Sequence, residues 1–233
     1  MYWDHISSLY DFFETAYNRK VFRGTGAYVG SLMDPADTVL ECACGTGAIS
    51  VDIAPNCRRL VATDFSRGML KQAAKKLQKY GNVRIRQADI MHIQCRDHRF
   101  DKVVAGNVIH LLPDPAGALA ELGRLVRPGG KIIIPTYINM SKKSAGLMVK
   151  ALEVCGMHFE RDFDLESYKQ FFKDMGYEDV EYHVVDGRMP CAVAVITKKS
   201  FHHKKLEERL EEYDGNITAA EFDYGEPVGK EIL

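Results

Sequence analysis

Three acidic residues stand at the ends of apolar runs, and the first is followed by a cluster of small residues. Val39-Leu40 leads to Glu41, and Ala43-Cys44-Gly45-Thr46-Gly47 then turns the chain toward a helix. Gly45 and Gly47 let the backbone turn tightly and approach a ligand with no side chain in the way. The first N–H groups of the helix point into the turn with the positive end of the helix dipole behind them, which suits an anionic ligand group. Asp64 comes seventeen residues after Gly47 and closes the run Leu60-Val61-Ala62-Thr63. Strand, Gly-x-Gly and a later acid form a nucleotide-cofactor pattern in which the acid holds ribose hydroxyls. Asp89 lies past the alternating stretch Val83-Arg84-Ile85-Arg86 and can accept a hydrogen bond from an exocyclic amine such as that of adenine.

The surroundings of the glycines discriminate among cofactors. A dinucleotide site calls for a third small residue, but Gly47 is followed by Ala48-Ile49-Ser50. A carboxylate at Glu41 repels a pyrophosphate and suits an ammonium. S-adenosylmethionine has an amino acid end with both charges, a ribose for Asp64 and no phosphate. The competing reading is a tight strand–helix turn that binds nothing, and the two spaced acids argue against it.

Val39 to Gly47 resembles the cofactor motif of class I S-adenosylmethionine-dependent methyltransferases. Thr63-Asp64-Phe65-Ser66-Arg67-Gly68-Met69-Leu70 resembles the second-strand motif of their ubiquinone/menaquinone C-methyltransferase-like subgroup. Arg86-Gln87-Ala88-Asp89-Ile90 resembles the third-strand motif, whose acid contacts the adenine amine. Phe100-Asp101-Lys102-Val103-Val104, Val108-Ile109-His110-Leu111-Leu112 and Leu125-Val126-Arg127-Pro128-Gly129-Gly130 resemble the fourth strand, its loop and the turn into the fifth strand. The likeness runs from about Asp37 to Thr136. It implies a Rossmann-like α/β fold with a seven-stranded, mostly parallel sheet, an antiparallel last strand and helices on both faces. It also implies that Glu41, Cys42, Ala43, Gly45, Gly47, Asp64, Phe65, Asp89 and Ile90 surround the cofactor.

The elements that would position these residues follow from periodicity. Ser66 caps a helix whose apolar face is Met69, Leu70, Ala73, Ala74 and Leu77, with Gly81 closing it. Met69 either covers the adenine ring or belongs to the core. Lys71, Lys75, Lys76 and Lys79 read as a solvated basic face. Asn107 stands at the carboxyl edge of the fourth strand, within reach of the methionyl part of a cofactor. His110 in the next loop is either a general base or a packing residue. Pro115 to Val126 reads as a helix, Lys131 to Ile134 as a buried strand ended by Pro135, and Leu165 to Met175 as a helix capped by Asp164. Val180 to Val185 and Ala192 to Thr197 read as a hairpin around Asp186-Gly187. That hairpin supplies the antiparallel strand that a dehydrogenase half-domain lacks.

The chain divides into three parts. Residues 1–36 form an aromatic, helical amino-terminal lid in which Tyr10 or Tyr17 reaches the cofactor or packs on the sheet. Gly24, Gly26 and Gly30 lie in a turn that runs into a short helix. Residues 37–199 form the cofactor domain, with a substrate-side insertion near 137–163. Residues 200–233 are a charged extension that packs on a neighbour or stays free, leaving monomer and homodimer both open.

Composition narrows the classes. The 233-residue chain carries a net charge of −1, which lacks the basic footprint of a nucleic-acid binder. No apolar run has the length of a membrane span and no signal peptide opens the chain, so a cytoplasmic protein is expected. The six cysteines show neither disulfide-scaffold nor zinc-like spacing. The expected activity is methyl transfer to a small, largely apolar organic acceptor. The rival classes are a nicotinamide-dependent oxidoreductase and a non-catalytic binding or assembly protein.

Overall fold

The computed structural model of the chain describes residues 18–138 and 161–199. Tyr10, Tyr17, the centre of the expected insertion and the charged extension lie outside the described residues. Helix α1 (Arg19–Ser31) precedes strand β1 (Thr38–Cys42). A single-turn helix α2 (Ser50–Ile53) continues as a 3-10 turn, Ala54–Asn56. Then come β2 (Arg59–Asp64), α3 (Arg67–Leu77), β3 (Val83–Gln87) and β4 (Phe100–Ala105). A 3-10 turn, Ile109–Leu111, leads to α4 (Pro115–Leu125), β5 (Val126–Tyr137), α5 (Leu165–Asp174), β6 (Val180–Val185) and β7 (Cys191–Thr197).

The strands form one sheet in the order β3-β2-β1-β4-β5-β7-β6. The pairs from β3 across to β5 are parallel, and β7 runs antiparallel between β5 and β6. This is the expected Rossmann-like architecture. Chain order reverses on either side of β1, where Leu40 pairs with Val61 of β2 and Val103 of β4. A crevice opens at the carboxyl ends of strands at such a switch point.

Alternation along the strands divides the core in two. Val39, Leu60, Ala62, Val104 and Ile133 face α1, α2 and α3 through Val29, Ile53, Ala73 and Leu77. Leu40, Val103, Ile132 and Ile134 face α4 and α5 through Leu119, Leu122, Tyr168 and Phe172. Each large apolar side chain buried in this way contributes roughly 1.5–3 kcal/mol. The Tyr168 hydroxyl donates to the Ile134 carbonyl at 2.6 Å, which pins α5 to the sheet without leaving a buried polar group unmet. Asp164 caps α5 in a capping box with Ser167, as its position suggests.

Some local expectations are corrected. Gly24, Gly26 and Gly30 lie inside α1, where they permit close packing. A Cβ at Gly30 would sit 2.6 Å from the carbonyl oxygen of Asp52 in α2. The described part of the expected lid therefore packs on α2 and on the β6 and β7 strands, with the Asn18 amide donating to the Met189 carbonyl at 2.8 Å. Pro135 does not end β5. Its carbonyl accepts from Asn107 N–H at 2.7 Å, so that side of the residue faces β4, whose pairing has stopped at Val104↔Ile133. No ladder bond is lost there by the missing proline N–H. The α3 helix ends at Leu77, before Gly81.

The helical glycines predict opposite responses. Gly30→Ala should destabilise the protein by about 1–3 kcal/mol through overpacking against the Asp52 backbone. Gly123→Ala in α4, with nothing within 4 Å of the added Cβ, should stabilise by about 0.5–1 kcal/mol. Urea unfolding midpoints of the two variants check both signs.

Candidate cofactor site

The parallel register of β1 and β2 brings their carboxyl ends together, with Glu41 opposite Ala62. The glycine turn runs between them. Cys44 N–H donates to the Thr63 carbonyl at 2.8 Å, and Gly47 N–H closes the turn on the Cys44 carbonyl at 2.9 Å. Asp64 then ties three elements together. Its Oδ2 accepts from Gly45 N–H at 2.8 Å and its Oδ1 from Ser66 N–H at 2.8 Å. Ser66 in turn caps α3 by accepting from Met69 N–H at 3.1 Å. A carboxylate offers about four acceptor sites, so these two amides do not by themselves saturate it, and ribose hydroxyls are compatible with both bonds.

The two glycines do different work. Gly45, at φ +55°, has nothing within 4 Å of where a Cβ would stand, so its backbone faces open space. Gly47, at φ +82°, would place a Cβ 3.3 Å from Ala73 and Leu77 of α3, so it serves packing. Ala43 holds φ +51° with a side chain present, a conformation that costs about 1–2 kcal/mol. The expected helix behind the turn is only the four-residue α2, and Pro55 lies in the 3-10 turn that follows. A four-residue helix has little macrodipole, so attraction for an anionic group falls to the amides of the turn itself.

Glu41 is 2% exposed, and the Ser50 hydroxyl donates to its Oε2. Burial raises its carboxyl pKa to about 8, with the Ser50 bond opposing and the charge of Asp64 assisting. The sequence suggests a standing negative charge here. The structure instead holds a mostly neutral acid at pH 7 that a bound cation would ionise.

The other expected residues divide by exposure. Phe65 is 49% exposed beside Asp64, an apolar ring turned outward. Asp89 is exposed past the end of β3, and its Oδ1 accepts from Met91 N–H at 2.9 Å. Asn107, at φ +51°, uses its side-chain oxygen to accept from Tyr137 N–H at 3.2 Å, joining the ends of β4 and β5. Met69 is 3% exposed and Ile90 8%, with Ile90 in the α4–α5 core, so the covering role suggested for Met69 gives way to packing. Cys42 is fully buried, and burial pushes its thiol up to about 12 and that of Cys44 well above its ordinary value. Both are protonated packing residues rather than ligands or nucleophiles, and Cys42 can offer a cofactor only its backbone. His110 is 3% exposed, and burial lowers its pKa to about 4. A base this weak matches neutral-pH proton transfer poorly, so the packing alternative fits the structure.

The sequence gives no site role to Ser50 or Lys76. Ser50 stands nine residues after Glu41, and only the return of the chain through the turn brings its hydroxyl onto the acid. Lys76, expected on a solvated face, donates to the buried Thr46 hydroxyl at 2.9 Å and backs the turn from α3.

Residues 40–134 match the methyltransferase domain family. The ubiquinone/menaquinone biosynthesis C-methyltransferase UbiE of Bdellovibrio bacteriovorus is 32% identical over 121 residues, covering 51% of this chain and 49% of the relative. The phosphatidylethanolamine N-methyltransferase of Cereibacter sphaeroides is 29% identical over 148 residues, covering 62% and 71%. This chain thus spans about half the length of the first relative. A solved S-adenosylmethionine-dependent methyltransferase of Thermotoga maritima, described as a possible histamine N-methyltransferase, superposes with a TM-score of 0.66. It is 19% identical, covering 85% of this chain and 99% of its own, and that likeness concerns the fold.

Glu41 makes stability depend on pH. Its carboxyl ionises near 4.5 when unfolded and near 8 when folded, so the folded chain holds the extra proton between those values. The resulting stability is complete below the lower value and is lost as pH rises through the upper one. Glu41→Gln removes the titrating proton. The stability of wild type relative to Glu41→Gln, from urea unfolding, should fall from pH 5 to pH 8.5. A difference that stays level over that range would contradict the raised pKa.

Proposed function

We propose that this chain is a class I S-adenosylmethionine-dependent methyltransferase that transfers the methyl group of that cofactor to a small, largely apolar organic acceptor. One observation carries the reading of the site. At the switch point of the sheet a single carboxylate, Asp64, holds the Gly45 amide of the turn while the buried acid Glu41 lies on the neighbouring strand.

Each part of the cofactor has a matching group. The turn around Gly45 receives the methionyl carboxylate through backbone N–H groups. Glu41 receives the ammonium. Its carboxyl is neutral in the free site and ionises when the cation arrives, which avoids an uncompensated buried charge before binding. Asp64 accepts from the ribose hydroxyls. Asp89 accepts from the adenine amine, with the exposed Phe65 ring against the base. Asn107 borders the methionyl end.

Methyl transfer from a sulfonium is an in-line displacement. The acceptor's lone pair or carbanion forms the new bond to the methyl carbon as the carbon–sulfur bond breaks, and the electron pair leaves with sulfur to give S-adenosylhomocysteine. The leaving group is already activated, so the protein contributes position and a shielded environment. The buried, weakly basic His110 is consistent with a reaction that needs no strong protein base. The two sequence relatives are named for carbon and nitrogen methylation, so the match within this domain does not select the acceptor atom. Quinone-like carbon acceptors fit the first of them. No helix among the described residues is long and apolar enough to cross a membrane.

Calorimetric titration with S-adenosylmethionine, S-adenosylhomocysteine and NADH tests the reading. The first two should bind and NADH should not; NADH binding alone would overturn the assignment. Asp64→Ala should weaken S-adenosylhomocysteine binding by ~1.5–3 kcal/mol, the range for hydrogen bonds to a charged group. Near pH 7, binding should release close to one proton in wild type and distinctly less in Glu41→Gln, read from titrations in buffers of different ionisation enthalpy.

A further inference from the structure

The connection from β3 to β4, residues 88–99, contains no helix. On the face that α4 and α5 cover over the centre of the sheet, this loop is what roofs β2 and β3 among the described residues. A cavity of about 560 Å³ lies beneath it. The volume is in the range of small-molecule sites.

The lining is polarised. Leu40 and Val61 pair in register across β1 and β2, and with Phe100 they make an apolar strip. Arg59 pairs with Thr38 at the amino end of β1, and Arg99 immediately precedes Phe100 at the start of β4. The register between β1 and β4, Val39↔Lys102, places Arg99 at that same edge of the sheet. Arg86 pairs with Thr63, four residues along β2 from Arg59, so it stands about 13 Å away at the other end of the strip. All three arginines line the cavity and are exposed.

Among the described residues none of the three is in an ion pair. Nearby acids are engaged elsewhere. Asp101 pairs with Arg127 and accepts from Thr38 N–H, and Asp97 pairs with Arg124. Asp89, the one carboxylate lining the cavity, accepts from Met91 N–H. Guanidinium forks match phosphate oxygens bidentately, and two at one edge make a polyanion seat.

We propose that this cavity, which is distinct from the glycine turn and borders the cofactor site at Asp89, is a second ligand site that takes a phosphate-bearing small molecule with an apolar stem. The phosphate sits between Arg59 and Arg99, and the stem lies along Val61, above the buried Leu40 and Phe100, toward Arg86.

The test is calorimetric titration of the full chain, below the micellar range, with decyl phosphate, decyltrimethylammonium and inorganic phosphate. Decyl phosphate should bind saturably at one per chain, inorganic phosphate at least about tenfold more weakly, and the cationic amphiphile not at all. Arg59→Ala combined with Arg99→Ala should reduce decyl phosphate affinity at least about tenfold while leaving the urea unfolding midpoint near that of wild type. Arg59→Lys with Arg99→Lys should restore part of the affinity and serves if the alanine variant fails to fold. Equal binding of both amphiphiles, no binding of decyl phosphate, or affinity indifferent to the arginines would overturn the proposal.

Discussion

The paired hydrogen bonds of Asp64 are the constraint on which the site depends. One side chain accepts from the amide of the glycine turn and from the amide that begins the cap of α3. Hydrogen bonds to a carboxylate belong to the class worth about 1.5–3 kcal/mol. Together they hold the end of β2, the start of α3 and the turn after β1 in one frame. The residue that would recognise a ribose is thus also the residue that shapes the place where the ribose would lie. Loss of the carboxylate therefore affects the frame and the contact at once.

Burial sets the chemistry around that frame. Glu41 and Asp64 are neighbours in the sheet, and two carboxylates close together in a poorly solvated place do not ionise as readily as in water. Burial puts the extra proton on Glu41, the more enclosed of the two. A neutral acid avoids an uncompensated buried charge, and an ammonium placed beside it would convert it to an ion pair. The same desolvation silences Cys42, Cys44 and His110, which have reactive side chains but lie in the packed interior. Reactive residue types close to the turn are therefore not evidence of covalent or acid–base catalysis here, and position becomes the means of rate enhancement.

The two halves of the sheet are covered unequally. Helices α4 and α5 build a dense aromatic and aliphatic layer over β4, β5 and β7, in which Phe163, Tyr168, Phe171 and Phe172 meet edge to face or tilted. Over β2 and β3 the same face has, among the described residues, the loop from 88 to 99. Alternation along β2 and β3 then directs Arg59 and Arg86 into that gap, beside Val61 and Thr63. A residue pattern that resembles an exposed edge becomes, with a loop above it, the wall of a cavity.

The architecture, and the acids and glycines of the candidate site, were legible in the sequence. Apolar runs, Gly-x-Gly, strand-end acids and the caps at Ser66 and Asp164 are local signals, readable because they depend on residues close together in the chain. The antiparallel hairpin of β6 and β7 was legible from alternation. Tertiary structure decided what lies inside. It made Gly24, Gly26 and Gly30 a packing face of α1, because Gly24 meets Val185 of β6 while Gly26 and Gly30 meet Asp52, each on a different element. It ran β5 through Pro135, because the strand beside it had already ended. It buried Met69 and His110, turned Phe65 outward, and brought Ser50 to Glu41 and Lys76 to Thr46. Accessibility and protonation belong to the packed surroundings of a side chain, and those surroundings come from segments that are distant in sequence.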